Sequence, residues 1–537
     1  VSTFAEKCCS KLLPSAARIG REGGENIDID KYNPYPSFQP GQAEAIGQIL
    51  ELHKEGEKVV ELNAPTAAGK SLDLFVLGRV LTEELAVGRV VYTTPLVALV
   101  NQLQETKAFE KMPVLKGKRN YPCGLLRESL GGWQTAEDCP FQNWSDALQS
   151  AEGPHCHACG YHKAYAKFLA ADFGATTLAR FQMGGAIHDE TTVLLVDESA
   201  GLEKTLIDRA TLTLTDRIDL DHLVPSLTVY YHELEKEASE LDKQIAAAKG
   251  NLRKISELVK LRTKAEREAK KTAKVLAHIE HEHPYIIDKE RKFRLLDCRS
   301  EFRNLVEHLD LVVLASGTPA TSILMSDFTP VIIQHPIPVE RRLCYYWPIG
   351  SMNFKERQAT APKMAEVIAK LHARHDRKTM VHCGAYVIAQ MLYERMPAIM
   401  KRKCILQEQS VREGSKNQFL QASQAIFLSV NFEEGLDLKG PDYPLNIIAK
   451  VPFENIGDEF VKARNERDNY KRYNMHAAVA VMQAAGRCTR SVDDFSETYI
   501  LDSSWQGFFN RCKKLFQPWF VASLRRHQEN SLEAWAL

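Results

Sequence analysis

The sequence predicts an α/β protein with two parallel-sheet halves, the first of them interrupted by two insertions. Three observations predict it. A short apolar run, Val59, Val60 and Leu62, enters a loop of small residues, Ala64-Pro65-Thr66-Ala67-Ala68-Gly69, and leaves through Lys70-Ser71 into the apolar stretch Leu72 to Leu77, which reads as strand, loop and helix. Val193-Leu194-Leu195-Val196 runs into Asp197-Glu198, a buried strand that delivers two acids at its carboxyl end, where open α/β sheets bind ligands. Strands of the same kind recur at 310–314, 379–383, 425–430 and 447–451.

At 537 residues the chain has material for three or four domains. Its 44% hydrophobic and 26% charged content is that of an ordinary globular protein. Lys plus Arg and Asp plus Glu both number 69, so a nucleic-acid partner would need a local basic groove. No run approaches the roughly 20 apolar residues of a membrane span, and no membrane partner is expected. The first twenty residues lack the apolar core of a secretory signal. Twelve cysteines are scattered through the chain, so a reducing setting is expected: bacterial or phage-type host cytoplasm, or nucleus in a eukaryote.

Taken in order, Tyr35 to Gln42 leads into an amphipathic helix from Ala43 to Leu52. The loop at 64–71 then reads as a phosphate cradle. Thr66, Ala67, Ala68 and Gly69 are small enough for backbone N–H groups to approach phosphates, and the following helix adds its positive end. Lys70 would reach the β- and γ-phosphates and Ser71 the magnesium ion. The first position of the usual G-x4-G-K-S/T pattern is Ala64, not Gly. Arg89 to Thr94 is a β-branched strand that turns through Thr94-Pro95 into a helix from Leu96 to Leu103, a second α/β unit. In the third unit Asp197 suits magnesium, and Glu198 suits polarisation of an attacking water.

Between the second and third units lie Cys123, Cys139, Cys156 and Cys159, spaced C-x15-C-x16-C-x2-C. Four thiolates suit zinc or an iron–sulfur cluster. His155, His157 and His162 crowd the last pair, and spacing does not choose the metal. Lys111, Lys116, Lys118 and Arg119 supply local positive charge.

After the acids, Leu227, Tyr231, Leu234, Ala238, Leu241, Ile245 and Ala248 recur at spacings of four and three, a helical seam. Gly250-Asn251 breaks it. The second helix carries nine basic and three acidic residues between Asn251 and Lys274. A protruding antiparallel hairpin is expected, its basic face a solvated surface or a contact to a nucleic-acid strand.

In the second half a buried strand at 310–314 ends in Ser316-Gly317-Thr318. Thr379 to Cys383 opens the second sheet, with Tyr386 after it. Ala425 to Val430 leads to Phe432-Glu433-Glu434-Gly435-Leu436-Asp437, and Ile447 to Phe453 is another strand and turn. Gln483-Ala484-Ala485-Gly486-Arg487-Cys488-Thr489-Arg490 closes the set. On a continuous helix, 483, 487 and 490 share one face. Two guanidiniums there would stabilise charge on a transferring phosphoryl group.

An LKGKRNYPC segment, three further cysteines and GYHKAYAKFLAADFGATTLARFQ, all between the Gly-Lys-Ser loop and the Asp-Glu strand, resemble the XPD/DinG family of iron–sulfur superfamily 2 helicases. The Ser316-Gly317-Thr318, Phe432 to Asp437 and Gln483 to Arg490 boxes are similar to that family's too. Together the resemblance covers about residues 34 to 505. It implies two RecA-like parallel-sheet motor domains, with an iron–sulfur cluster insertion and a helical arch-like insertion in the first. The first motor domain would comprise 1–110, 181–208 and 291–330, the cluster domain 111–180, the arch 209–290 and the second motor domain 331–537.

The resemblance also implies a 4Fe–4S cluster on Cys123, Cys139, Cys156 and Cys159, with ATP and Mg2+ as further cofactors. Gln42 would read adenine, and Glu434 and Asp437 would join Thr66 to Ser71 around ATP. Thr94, Pro95, Lys116, Lys118 and Arg119 would grip nucleic acid. The catalytic set would be Lys70, Asp197, Glu198, Gln483, Arg487 and Arg490. The implied activity is that of a monomeric ATP-dependent DNA helicase. It would move 5′ to 3′ on single-stranded DNA and open forked duplexes. Departures are Ser199-Ala200 where the family has Ala-His after its acids, Glu433 for Trp, and a small arch. The missing histidine keeps open a translocase that separates no duplex. A binding module with a vestigial motor is the other alternative.

Overall fold

The computed structural model describes residues 18–20, 26–130, 134–139, 159–248, 251–318, 328–375, 377–408, 412–430, 445–489 and 493–526. Two seven-stranded sheets dominate them. The first runs in the order Thr329–Ile332, Val59–Asn63, Leu311–Ser316, Thr191–Asp197, Arg89–Thr94, Phe173–Thr177, Val114–Leu115. The second runs Cys404–Leu406, Ala425–Ser429, Lys378–His382, Leu445–Ile448, Glu497–Asp502, Cys344–Gly350, Leu524–Arg526. Its pairings are all parallel. The two parallel-sheet α/β halves expected from the sequence are therefore present. Every residue of Leu311–Ser316 and Ala425–Ser429 is buried, as near-continuous apolar runs in doubly covered sheets must be.

Thr329–Ile332 pairs parallel with Val59–Asn63 at the edge of the first sheet. It spans the expected domain boundary at 330. Pro330 hides it in the sequence, yet proline is tolerated in an edge strand because one side of the ladder has no partner to lose.

The residues group into two compact units, 1–76 with 315–456 and 467–537, and 77–314 with 457–466. In the former, the helices Arg357–His375 and Tyr386–Arg395 cover one face of the second sheet through Met364, Ile368 and Leu392. The helices Lys471–Ala485, Ser504–Cys512 and Pro518–Ser523 cover the other through Met482, Trp505, Phe508 and Phe520. In the latter unit, the helices Leu223–Ala247 and Leu252–Glu280 form the expected hairpin. Asn251 caps the second helix by accepting from the Lys254 N–H at 3.1 Å.

The hairpin differs from expectation in three ways. Tyr230, not Tyr231, occupies the seam, where its hydroxyl donates to Glu268 at 2.6 Å. Tyr231 turns outward and donates to Glu235 on its own helix. The base of the hairpin rests on a three-stranded antiparallel sheet, Leu212–Thr213, Lys292–Leu295 and Tyr285–Ile287, with Phe293 and Leu295 fully buried against it. The basic helix, in turn, is largely ion-paired within the protein. Arg262 meets Asp242 at 2.8 Å and Glu266 at 2.7 Å, and Lys274 pairs with the buried Glu301. Lys260 meets Asp138 at 3.2 Å and Arg267 meets Glu137 at 3.1 Å. The last two acids directly precede Cys139.

Candidate ATP and nucleic-acid site

The strand Val59–Asn63 ends at the loop, and the helix Lys70–Glu83 begins at Lys70. Between them the backbone doubles back: the Ala68 N–H donates to the Pro65 carbonyl at 3.1 Å. Ala67 at φ 71° and Gly69 at φ 80° take the left-handed conformation. For Ala67 that costs about 1 kcal/mol, strain of the kind that collects at ligand loops. The turn brings Lys70 and Ser71 to the positive end of the helix dipole. Ala64, in the position of the usual glycine, is fully buried, and its N–H donates to the Ser316 carbonyl at 3.0 Å. The Ser316-Gly317-Thr318 box thus lies along the start of the loop, its two hydroxyls 3.2 Å apart.

Gly486 lies against the same loop. A Cβ placed on it would stand 2.9 Å from Thr66 Oγ1, so a side chain there would push the loop. Gln483 is half-buried just upstream. The helix ends at Ala485, however, because the chain tightens: the Arg487 N–H donates to the Ala484 carbonyl at 3.1 Å. Arg487 therefore follows the helix instead of sharing a helical face with Gln483, and it is buried. Arg490, Glu434, Asp437 and Cys156 lie outside the described residues.

Two imidazoles, the half-buried His335 and the fully buried His382, accompany this loop and box. His335 accepts from the Ile337 N–H at 3.2 Å through Nδ1 and lies tilted against Trp519 with ring centroids 5.4 Å apart. Burial, with Arg342 and Lys70 nearby, pushes its pKa down to about 3. Burial and Arg487 push His382 to about 3 as well, against its contact with Asn446. The folded protein thus refuses protons that unfolded imidazoles take up near 6.5. The stability these groups allow is complete above about 6.5 and is lost as pH falls toward about 3. Each imidazole costs about 2 kcal/mol by pH 5. A melting temperature that falls between pH 7 and pH 5 is expected in thermal melts; a flat profile would contradict it.

At the Asp-Glu strand, Thr191–Asp197 ends with Asp197 buried. Its carboxylate accepts from the Tyr92 hydroxyl at 2.5 Å and from the Glu198 N–H at 2.9 Å. Glu198 takes the left-handed conformation at φ 53°, which turns it off the strand axis. Tyr92, on the neighbouring strand Arg89–Thr94, is fully buried and was not singled out in the sequence. The Thr94 hydroxyl is buried and donates to the Leu96 carbonyl at 2.9 Å, so it holds the Thr94-Pro95 turn in shape.

Cys123 is buried just ahead of the helix Gly124–Leu130. A hydrogen bond from Cys139 lowers its thiol to about 7, against desolvation and with help from the Leu126 and Leu125 N–H groups. The strand-like approach is fixed by the Cys123 N–H donating to the Gln134 carbonyl at 3.0 Å. Thr135 and Asp138 form a capping box before Cys139, and Cys159 stands at the N-cap position of the helix Gly160–Leu169 without a side-chain capping bond. Paired thiols with one near neutrality are the donor chemistry that a thiolate-bound cluster needs. Among the described residues, no three His, Cys, Asp or Glu groups stand in a metal-holding arrangement.

Beside this segment the exposed Lys118 stands over the Tyr161 ring at 5.6 Å. Tyr161 stacks on Tyr165 at 5.9 Å, and Arg180 stands 5.9 Å from the Tyr165 ring. The sequence reading gave neither tyrosine a role. Lys116 is held by Asn101 and Gln104 at 2.8 and 3.0 Å, and Arg119 pairs with Glu137.

Residues 368–522 match the family model of the helicase C-terminal domain. Over 152 residues the chain is 26% identical to the ATP-dependent DNA helicase YoaA of Escherichia coli (strain K12), a match covering 27% of this chain and 24% of that protein. The described fold superposes on a solved XPD helicase with a TM-score of 0.57 at 14% identity, covering 92% of this chain and all of that one. The chain has the fold of the XPD helicases and carries a helicase C-terminal domain. The S. tokodaii Xpd4 structure gives a TM-score of 0.53 at 13% identity, covering 91% of this chain and 99% of that one. The XPD-like architecture thus extends across both sheets. The match to YoaA, by contrast, spans about a quarter of that relative's length.

Proposed function

We propose that this XPD/DinG-like chain is an ATP-dependent DNA helicase that moves 5′ to 3′ along single-stranded DNA and opens duplex at forks. The observation that carries the proposal is the loop Ala64 to Ser71, bent through two left-handed residues with Gly486 of the Gln483 to Arg490 box against Thr66. In this reading Lys70 and Ser71 take the triphosphate and its magnesium, and Asp197, steadied by Tyr92, is a metal ligand. Glu198 orients the attacking water. Arg487 and Arg490 stabilise charge on the transferring phosphoryl, and Gln483 accompanies them. Thr66 touches both the loop and the box, so the state of the nucleotide is felt in the second sheet.

Cys123, Cys139, Cys156 and Cys159 would hold a 4Fe–4S cluster, which supplies a rigid cross-link between the segments that bear them. The neighbouring Lys118, Arg180 and the half-buried ring of Tyr165, backed by the buried Tyr161, offer cations and a ring of the kind that holds single-stranded bases and phosphates. YoaA, by its name, acts on DNA, and this favours DNA here. A second reading, a translocase without strand separation, is favoured by Ala200, which stands in a tight turn at the position where the family carries its coupling histidine. The test is ATP hydrolysis with and without nucleic acid, with strong stimulation by single-stranded DNA expected.

A further inference from the structure

We infer that Gln42 is a clamp on the phosphate loop and not a reader of the adenine base, so that preference among nucleotides does not arise from this glutamine. The inference rests on the ATP-loop reading above and changes the role that the family resemblance gave this residue.

Gln42 opens the helix Gln42–Lys54 and is fully buried at 0% exposure. Its Oε1 accepts from the Gln39 N–H at 2.7 Å. Its Nε2 donates to Asp73 Oδ1 at 2.7 Å and lies 3.1 Å from the Ala68 carbonyl and 3.4 Å from that of Gly69. One amide hydrogen serves Asp73, and the two loop carbonyls share the other. The orientation of the amide is fixed by these partners. Flipped, the amide would turn its oxygen toward three acceptors and its nitrogen toward a donor.

A reader of adenine must present a donor and an acceptor to the base. Gln42 has both ends engaged and no exposed surface. Its partners are the last two residues of the loop and the first turn of the helix that follows, where Asp73 is itself 1% exposed. The packing is tight enough that a Cβ on Gly69, already at φ 80°, would come 2.5 Å from Gln42 Nε2. The side chain therefore holds the loop in its bent form before any ligand arrives. What it stabilises is a cradle for phosphates, and phosphates are common to every nucleoside triphosphate.

The test measures dissociation constants of Mg-ATP, Mg-GTP and Mg-tripolyphosphate for the full chain, for Gln42→Glu and for Asp73→Asn. Glutamate turns a carboxylate toward three acceptors. It is expected to weaken all three ligands by about tenfold or more, to similar extents, with the ATP-to-GTP ratio unchanged. Asp73→Asn keeps an acceptor for Nε2 and loses the charge. It is expected to show the same pattern at smaller size, and it carries the test if the glutamate variant does not fold. A loss confined to ATP, or no loss in either folded variant, would overturn the clamp. Unaltered protein that bound none of the three ligands would overturn the phosphate-loop reading, and the clamp with it.

Discussion

Lys70→Ala is expected to lower the turnover of ATP by about a hundredfold to a thousandfold or more while leaving the fold in place. The size follows from the geometry. Lys70 is the first residue of the helix Lys70–Glu83, at its dipole's positive end and directly after the left-handed Gly69. In the proposed reading an ammonium there would face the β- and γ-phosphate oxygens, and removing a preorganised charge of this kind from a reacting group costs about two to three powers of ten or more. The fold should survive because alanine is the best helix former. The change also removes one of the charges that keep His335 neutral. The measurements are steady-state hydrolysis and a thermal melt on the same preparation. Turnover equal to that of the unaltered protein in a folded variant would remove the loop from the reaction.

Cys123→Ser is expected to empty the cysteine segment of iron, and Cys156→Ser should do the same. In each case about four irons per chain would fall to below one in protein purified without oxygen. A serine hydroxyl stays protonated at neutral pH, whereas the Cys123 thiol sits at about 7 through Cys139 and so exchanges its proton for a metal readily. The surrounding segment should keep its place, because its anchors are elsewhere. Ser256 donates to the Asp138 carbonyl at 3.0 Å, Lys260 and Arg267 pair with Asp138 and Glu137, and Leu252 packs on Cys123, Leu125 and Leu126. Part of the ATP hydrolysis should therefore persist while strand separation is lost. Full iron retention would take the substituted residue out of the ligand set, and zinc in the unaltered protein would replace the cluster by a zinc site.

The strands, the phosphate loop and the helical hairpin were legible because their signals are local. Val193 to Val196, Leu311 to Ala315 and Ala425 to Leu428 are apolar runs too short for helices, and the loop at 64–71 joins small residues to Lys70-Ser71 between a strand and a helix. What was not legible depends on distant partners. Leu212–Thr213 is a strand only because Lys292–Leu295 lies beside it, some eighty positions on. Tyr230 displaces Tyr231 from the seam because Glu268 of the other helix takes its hydroxyl. The basic helix reads as a solvated face until Glu137 and Asp138, more than a hundred positions earlier, are found against it. The end of the last box's helix at Ala485 was hidden for a related reason. Gly486 is needed for its close approach to Thr66, and nothing in its immediate neighbours announces that contact. Tyr92 was missed because a tyrosine in a β-branched strand carries no mark of the carboxylate that its hydroxyl meets.

The central claim is that ATP turnover in this chain is driven by a DNA strand. Hydrolysis by protein purified without oxygen, measured alone and with single-stranded DNA, duplex DNA and single-stranded RNA, tests it most directly. The account predicts a low rate alone, a rise of about tenfold or more with single-stranded DNA, and little change with duplex or RNA. A rate indifferent to all three nucleic acids, or no hydrolysis at all, would contradict it.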